Sequence, residues 1–216
     1  WGIGDGGGSN DPNGNGQNAS SALSSIYLFE YNGSQISPVL KDSNGSESFI
    51  LHTGLRNPWK FDIDNNKGLW IADVGQYCFE EVNYIETWNE SSNFGWSLRE
   101  GMHSFSTDAD CSVAITNPRD GITDPVIEYD HSNGQCSITG GFWMDSSFSM
   151  GEGYLYGDFC TGSVWLAEKN NNTWVERLLF DTDIQIVGFG KGINDELLIF
   201  HWGGSIFEVI FDEVKE

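Results

Sequence analysis

The stretch FDIDNNKGLWIADV, residues 61–74, joins an apolar run to a second run containing Trp70 through a turn of Asn, Asp, Lys and Gly. The same arrangement returns in EGYLYGDFCTGSVWLAE (residues 152–168) and in GFGKGINDELLIFHWGGSIFEVI (residues 188–210). Such residues favour sharp turns between short strands. A recurring unit of this kind is typical of β-propeller blades, although the strand pattern alone also allows a β-sandwich.

The rest of the chain continues the pattern and predicts an all-β protein. No long segment has apolar residues at helical spacing. Residues 1–18 consist mostly of Gly, Asn, Asp and Ser and are predicted to be a loop. No domain boundary is visible, so residues 1–216 are treated as one domain. Short strands are predicted at residues 25–31, 48–52, 59–63, 68–73, 80–85, 125–130, 138–144, 153–158, 163–168, 174–180, 184–188, 196–201 and 205–211.

Composition excludes some classes of partner. The chain has 216 residues and a formal net charge of -22, with only 10 Lys and Arg. Binding of phosphates needs a basic surface, so nucleic acid and anionic membrane surfaces are disfavoured. No apolar run is long enough to insert into a membrane. The chain opens in the Gly-rich turn WGIGDGGG without an initiator Met or a signal peptide, which predicts a piece of a longer protein.

Four cysteines suggest disulfides and therefore an oxidising compartment. The cysteines lack a CxxC spacing, so disulfides are favoured over a zinc site, and four cysteines allow three pairings. Asn-x-Ser/Thr triplets begin at Asn18, Asn32, Asn44, Asn89 and Asn171, although such triplets also arise by chance in an Asn-rich chain. We expect a secreted or periplasmic protein.

Seven motifs in series indicate a family. They are GDGG (4–7) followed by DPNGNGQN, GLRNPWKF (54–61), LWIADVGQ (69–76), EEVN (80–83), NFGWSLREG (93–101), ITGGFW (138–143) and YLYGDFCTG (154–162). In this order they resemble the soluble glucose/sorbosone dehydrogenases, which include the aldose sugar dehydrogenases and the hedgehog-interacting-protein-like chains. The resemblance implies a six-bladed β-propeller, of which this chain covers about the last four blades.

The resemblance also implies a cofactor, a substrate and site residues. The family oxidises aldoses with pyrroloquinoline quinone and calcium. Arg56 and Asn57 match its cofactor-contacting pair, although Arg56 could instead tie a turn to backbone carbonyls. Backbone carbonyls of Gly75 and Gln76 match the calcium-binding turn. Glu81 and the Phe94 carbonyl match a further calcium position in some relatives, the alternative for Glu81 being an exposed carboxylate.

No catalytic residue is assigned in this chain. The family's catalytic base is a histidine upstream of GDGG, which this chain does not include. His52, His103, His131 and His201 lie outside the matching motif and are interpreted as surface or packing residues. The fragment is therefore predicted to be inactive by itself, with the missing N-terminal blades or a partner chain covering its exposed edges.

Departures from the family pattern keep a second function open. Trp59 stands where the dehydrogenases often have Gln, Cys160 falls at or beside their cofactor-binding lysine, and residues 183–187 lack their arginines. The alternative is a non-catalytic secreted propeller that binds a carbohydrate or a protein partner; a weaker third is a calcium-stabilised structural module. A bridge between Cys136 and Cys160 would tie successive blade loops, which leaves Cys78 with Cys111.

Overall fold

A computed structural model describes residues 1–116 and 121–210 and contains strands but no helix within those ranges. Among these residues no helix could span a membrane. The strands, in chain order, are β1 (Gly2–Ile3), β2 (Ser25–Tyr27), β3 (Phe29–Tyr31), β4 (Ile36–Pro38), β5 (Leu40–Lys41), β6 (Glu47–Ser48), β7 (Ile50–Thr53), β8 (Pro58–Ile63), β9 (Leu69–Asp73), β10 (Phe79–Ile85), β11 (Arg99–Glu100), β12 (His103–Ser104), β13 (Ile127–Asp130), β14 (Ile138–Met144), β15 (Gly153–Asp158), β16 (Val164–Asn170), β17 (Thr173–Phe180), β18 (Ile186–Lys191), β19 (Leu197–His201) and β20 (Ile206–Val209).

Four antiparallel sheets follow one another along the chain. Their strand orders are β1-β2-β7, β13-β10-β9-β8, β14-β15-β16-β17 and β18-β19-β20, and three further pairs are β3-β4, β5-β6 and β11-β12. Neighbouring strands of each larger sheet are joined mostly by tight turns, as in the blades of a propeller. The all-β prediction is thus confirmed, whereas the number of blades and the closure of a ring remain predictions.

The core lies mainly between sheets. Trp70 on β9 is fully buried and stacks on Tyr154 of β15, with ring centroids 5.2 Å apart. Trp174 of β17 meets Trp70 edge-on at 4.6 Å. Each large aromatic ring removes apolar surface of both sheets from water, so these contacts hold the second and third sheets together.

Strand β8 of the second sheet also contacts the fourth sheet. On β8, Trp59 Nε1 donates to the Val187 carbonyl of β18 at 3.1 Å, and Lys60 Nζ donates to the Phe189 carbonyl at 2.9 Å. The second and fourth sheets are therefore hydrogen-bonded to each other directly.

Two disulfides close loops, and both predicted pairings are confirmed. Cys136–Cys160 joins the segment before β14 to the turn after β15, and Cys78–Cys111 joins the turn before β10 to an exposed loop. Asp158 supports the first bridge, because its Oδ2 accepts from the Cys136 amide and its Oδ1 from the Cys160 amide.

The main strand predictions hold to within a few residues, with omissions. β14 and β15 have the predicted bounds, whereas residues 1–18, predicted as loop, include β1. The strands β4, β5, β6, β11 and β12 were not predicted, because two- and three-residue strands form through hydrogen bonds to neighbours rather than through an apolar pattern. The last predicted run extends to Phe211, which lies outside the described residues.

Candidate functional site

Five of the six predicted site residues lie on loops at one end of the sheets, and the sixth, Glu81, lies on β10. Residues 54–57 precede β8, residues 74–78 connect β9 to β10, and residues 93–101 lead into and include β11. Backbone hydrogen bonds join these loops: the Val74 amide donates to the Asn57 carbonyl at 3.2 Å, and the Trp96 amide donates to the Gly54 carbonyl at 2.9 Å. We call this surface the loop face.

Arg56 holds the turn after β9. Its Nη1 donates to the Val74 carbonyl at 3.0 Å and to the Gly75 carbonyl at 2.6 Å, and the guanidinium lies 5.8 Å from the Trp96 ring centroid. Two predicted features, the cofactor arginine and the calcium-binding carbonyl, are therefore in direct contact. The structure therefore shows the alternative role of Arg56, tying a turn to backbone carbonyls, and its role in binding a cofactor stays a prediction.

Asn57 is placed beside Arg56 by a buried carboxylate. Asp73, at the end of β9, accepts from the Arg56 amide through Oδ2 at 2.8 Å and from the Asn57 amide through Oδ1 at 2.6 Å. Burial raises the pKa of Asp73 to about 7, and these hydrogen bonds oppose the shift. Asp73 thus fixes the backbone from which both predicted cofactor residues project.

Gly75 and Gln76 form a turn organised by Glu100. The Oε1 of Glu100 accepts from the amides of Gln76, Tyr77 and Cys78 at 2.5, 2.7 and 3.1 Å. A side chain at position 75 would collide with the Phe79 carbonyl, so only glycine fits there. Gln76 directs its side-chain amide to Asn10, with both hydrogen bonds 2.8 Å long.

Glu81 is buried, which rules out the exposed alternative. It is 7% exposed, with Oε1 accepting from Asn83 Nδ2 at 2.8 Å and Oε2 from the Gly101 amide at 2.9 Å. Burial raises its pKa well above the ordinary range, and the nearby Asp73 carboxylate adds to the shift. Asp73 and Glu81 are therefore two neighbouring buried carboxyl groups beneath the loop face, and it is unfavourable for both to be ionised at once.

A small cavity collects part of the predicted set. It offers about 10 Å³, roughly the space that one water needs, and its lining includes Arg56, Gly75 and Glu81. Asn57, Gln76 and Phe94 do not line it. Phe94 is 2% exposed, packs in the core beneath the first two sheets, and donates its amide to the Thr53 carbonyl.

The sequence analysis missed the residues that organise this cavity. Asp73, Trp96, Arg99 and Glu100 also line it, and Arg99 pairs with Asp124. Asp73 lies within the LWIADVGQ motif and the other three within NFGWSLREG. The sequence did contain a signal for such a residue, namely a charged side chain inside an apolar run. Charged residues are rarely buried without a partner, so this pattern indicates a buried polar contact.

The cavity partly satisfies what a quinone and a cation would require. Arg56 Nε and Arg99 Nε are buried without hydrogen-bond partners among the described residues, as donors awaiting an anionic or carbonyl group would be. The Gly75 carbonyl and the carboxylates of Asp73 and Glu81 are oxygen donors of the kind that calcium takes. These donors are of the types that a quinone carboxylate and a hard cation require, but a cavity of about 10 Å³ has room for no more than one water and does not by itself accommodate a quinone.

None of the four histidines joins the cavity lining. His52 is fully buried, and burial lowers its pKa to about 4. His131 binds Glu80 through Nε2 at 2.9 Å, and His103 binds Glu128 at 3.2 Å. These three make structural contacts.

Comparison with known proteins identifies the fold. The aldose sugar dehydrogenase of Streptomyces coelicolor, in its PQQ-bound form, superposes with a TM-score of 0.65 at 16% identity, over 92% of this chain and 50% of that one. The apo-form aldose sugar dehydrogenase of Escherichia coli gives 0.61 at 17% identity, over 86% and 53%. The chain therefore has the fold of the soluble sugar dehydrogenases and spans about half their length.

A relative is also found by sequence. The HIPL1 protein of Arabidopsis thaliana is 31% identical over an alignment of 193 positions that covers 76% of this chain and 27% of HIPL1. No family model matches the chain. As the seven motifs predict, the chain resembles the glucose/sorbosone dehydrogenases, whose fold it shares, and the hedgehog-interacting-protein-like chains, to which HIPL1 belongs.

Proposed function

We propose that the protein is a secreted or periplasmic sugar dehydrogenase of the quinoprotein type, and that this chain forms one side of its cofactor site. The contact between Arg56 Nη1 and the Gly75 carbonyl carries the proposal, because it joins the arginine predicted to bind the cofactor to the turn predicted to bind calcium. Pyrroloquinoline quinone, when bound with calcium, would supply the two-electron oxidation of the sugar.

Each residue has a defined part in this proposal. Arg56 would bind a carboxylate or carbonyl of the cofactor through its unpartnered Nε, and Asn57 would add a neutral hydrogen bond. The carbonyls of Gly75 and Gln76 would bind the calcium ion that accompanies the cofactor, and Glu81 with the Phe94 carbonyl would bind a further calcium ion. Asp73 and Glu100 would hold the two turns in position, because their carboxyl oxygens accept hydrogen bonds from the backbone amides of those turns. The base that removes the sugar proton would come from a segment outside this chain.

Tryptophan fluorescence provides the test, because Trp96 lies beside Arg56. Pyrroloquinoline quinone is titrated into the chain with calcium and again with a chelator. We expect calcium-dependent, saturable quenching, weakened at least about tenfold, or 1.4 kcal/mol, in Arg56→Ala. Arg177→Ala is the matched control, since that arginine is exposed and pairs with Glu168. Equal affinity in Arg56→Ala would contradict the proposed site.

A second function is a carbohydrate-binding propeller without redox activity. It is favoured by the charge of the loop face, where the carboxylates of Asp73, Glu80, Glu81 and Glu100 are buried and outnumber Arg56 and Arg99. Cys160 is held in a disulfide, so that position supplies no cation. The formal net charge of -22 on the whole chain also disfavours a trianionic cofactor. Calorimetry with an aldose tests this function. Binding of the aldose by a chain that shows no quinone binding in the fluorescence titration would favour it over the dehydrogenase.

A further inference from the structure

Disulfides and asparagine triplets remain unexplained by either function. All four cysteines are bridged, as is usual in secreted proteins. The asparagines of all five Asn-x-Ser/Thr triplets are exposed. Every half-buried or buried asparagine in residues 1–116 and 121–210 lies outside a triplet, namely Asn10, Asn15, Asn57, Asn83 and Asn93.

Three of the triplets begin in turns between neighbouring antiparallel strands, two of them in two-stranded sheets and one in the third of the larger sheets. Asn32 lies between β3 and β4, Asn44 between β5 and β6, and Asn171 between β16 and β17. A bulky hydrated oligosaccharide is tolerated only where it stays in solvent, and hairpin turns satisfy that requirement. These three positions are therefore compatible with modification of the folded protein.

The Asn32 turn has the most defined geometry. Its Oδ1 accepts from the Ser34 amide at 3.1 Å, from Ser34 Oγ at 3.1 Å and from the Gln35 amide at 2.9 Å. The triplet's hydroxyl is thus held against the side-chain amide that a glycosyl group would modify. Within the described ranges, no acceptor engages Asn32 Nδ2.

Exposed apolar side chains flank the same turn. Tyr31 is 65% exposed and Ile36 is 53% exposed, and the two residues are directly paired across β3 and β4. An aromatic ring and an aliphatic side chain on one two-stranded hairpin leave apolar surface in water. The C–H face of a sugar attached at Asn32 could pack on the Tyr31 ring and remove part of that surface from water.

We propose that Asn32, Asn44 and Asn171 carry N-linked oligosaccharides, and that the one on Asn32 covers Tyr31 and Ile36. The donor is an oligosaccharide linked to a polyisoprenoid diphosphate. The side-chain nitrogen Nδ2 forms a bond to the anomeric carbon, the bond from that carbon to the diphosphate oxygen breaks, and the lipid diphosphate leaves while Nδ2 loses one proton. No oxidation or reduction occurs.

The modification is tested on the full chain secreted from a eukaryotic cell. Amidase removal of glycans in ¹⁸O-water converts each modified asparagine to ¹⁸O-labelled aspartate, which peptide mass spectrometry locates. We expect label at Asn32, Asn44 and Asn171, and none at Asn133, an exposed turn residue outside a triplet. Ser34→Ala should remove the label at Asn32, whereas Ser34→Thr should keep it. Unlabelled asparagine at these three positions in the folded, secreted chain would overturn the proposal.

The covering role is tested separately by retention on a hydrophobic column. Ser34→Ala should be retained longer than Ser34→Thr, because it lacks the Asn32 glycan. In a Tyr31→Ser, Ile36→Ser background the difference between the same two variants should fall by at least half. An unchanged difference would overturn the covering role and leave the modification itself to the mass measurement.

Discussion

Glu80 is a fully buried carboxyl group that is paired with His131. Its Oε1 lies 2.9 Å from His131 Nε2, and its Oε2 accepts from the amides of Gly75 and Ile138. The Glu80 hydrogen bond raises the pKa of His131, burial opposes the shift, and a hydrogen bond to the Tyr77 carbonyl supports it. His131 therefore links β10 to the turn that carries Gly75.

His131→Gln tests this pair through pH. Because the folded-state pKa of His131 is raised, its charged contribution is fully present below its ordinary pKa and is lost as pH rises through the folded value. We expect the variant to lose about 1–2 kcal/mol of unfolding free energy at about pH 6 and less at about pH 9. Urea unfolding at both values measures the difference, and an equal loss at both would contradict it. His201→Gln, at a histidine without a carboxylate partner among the described contacts, is the control.

At the scale of elements, the two disulfides restrain different structures. Cys136–Cys160 spans 24 positions and fastens β14 to the turn between β15 and β16, within one four-stranded sheet. Cys78–Cys111 spans 33 positions and fastens an exposed loop to the start of β10. Loop length alone would make the second bridge slightly more stabilising, because closing a longer loop removes more entropy from the unfolded chain.

Paired replacements by serine should separate these effects. We expect Cys136→Ser, Cys160→Ser to lower the unfolding free energy by about 3 kcal/mol, measured by urea unfolding. We expect Cys78→Ser, Cys111→Ser to cost a similar amount and, in addition, to make residues 105–116 the first site of protease cleavage. Cleavage at the same rate in both double variants would contradict a specific role for Cys78–Cys111 in holding that loop.

The elements also show how far sequence reasoning reaches. β14 and β15 were predicted with their observed bounds because each is an apolar run flanked by turn residues. β4, β5 and β6 were missed because their two- and three-residue strands carry no periodic signal. At the site, Arg56 and Gly75 followed from the motifs. The burial of Glu81 did not, because it depends on amide donors from Asn83 and Gly101 that only the fold brings near.

At the scale of the whole molecule, negative charge opposes compactness. The sequence contains 32 Asp and Glu against 10 Lys and Arg. The described ion pairs of Lys and Arg involve Arg99, Arg177 and Lys191. Most of the acidic surface is therefore balanced by solvent ions, and repulsion within it favours expansion of the chain.

Salt should stabilise the protein, and calcium should stabilise it more than its contribution to the ionic strength explains. Raising NaCl from about 10 mM to about 150 mM shortens the screening length to about 8 Å, so we expect the melting temperature to rise by a few degrees. Millimolar calcium should raise it further than magnesium at the same ionic strength if Gly75 and Glu81 bind the ion, and a chelator should reverse the gain. Equal effects of the two cations would contradict a calcium site.

The hydrogen bonds from Trp59 and Lys60 to β18 have a kinetic consequence. They join residues 128 and 129 positions apart in the chain. We expect such distant partners to meet only after the intervening sheets have formed, so these bonds should belong to the late, high-contact-order part of folding. Weakening them should leave the refolding rate nearly unchanged and accelerate unfolding. The contacts between the second and fourth sheets would therefore slow the unfolding of the third sheet, which lies between them in the chain.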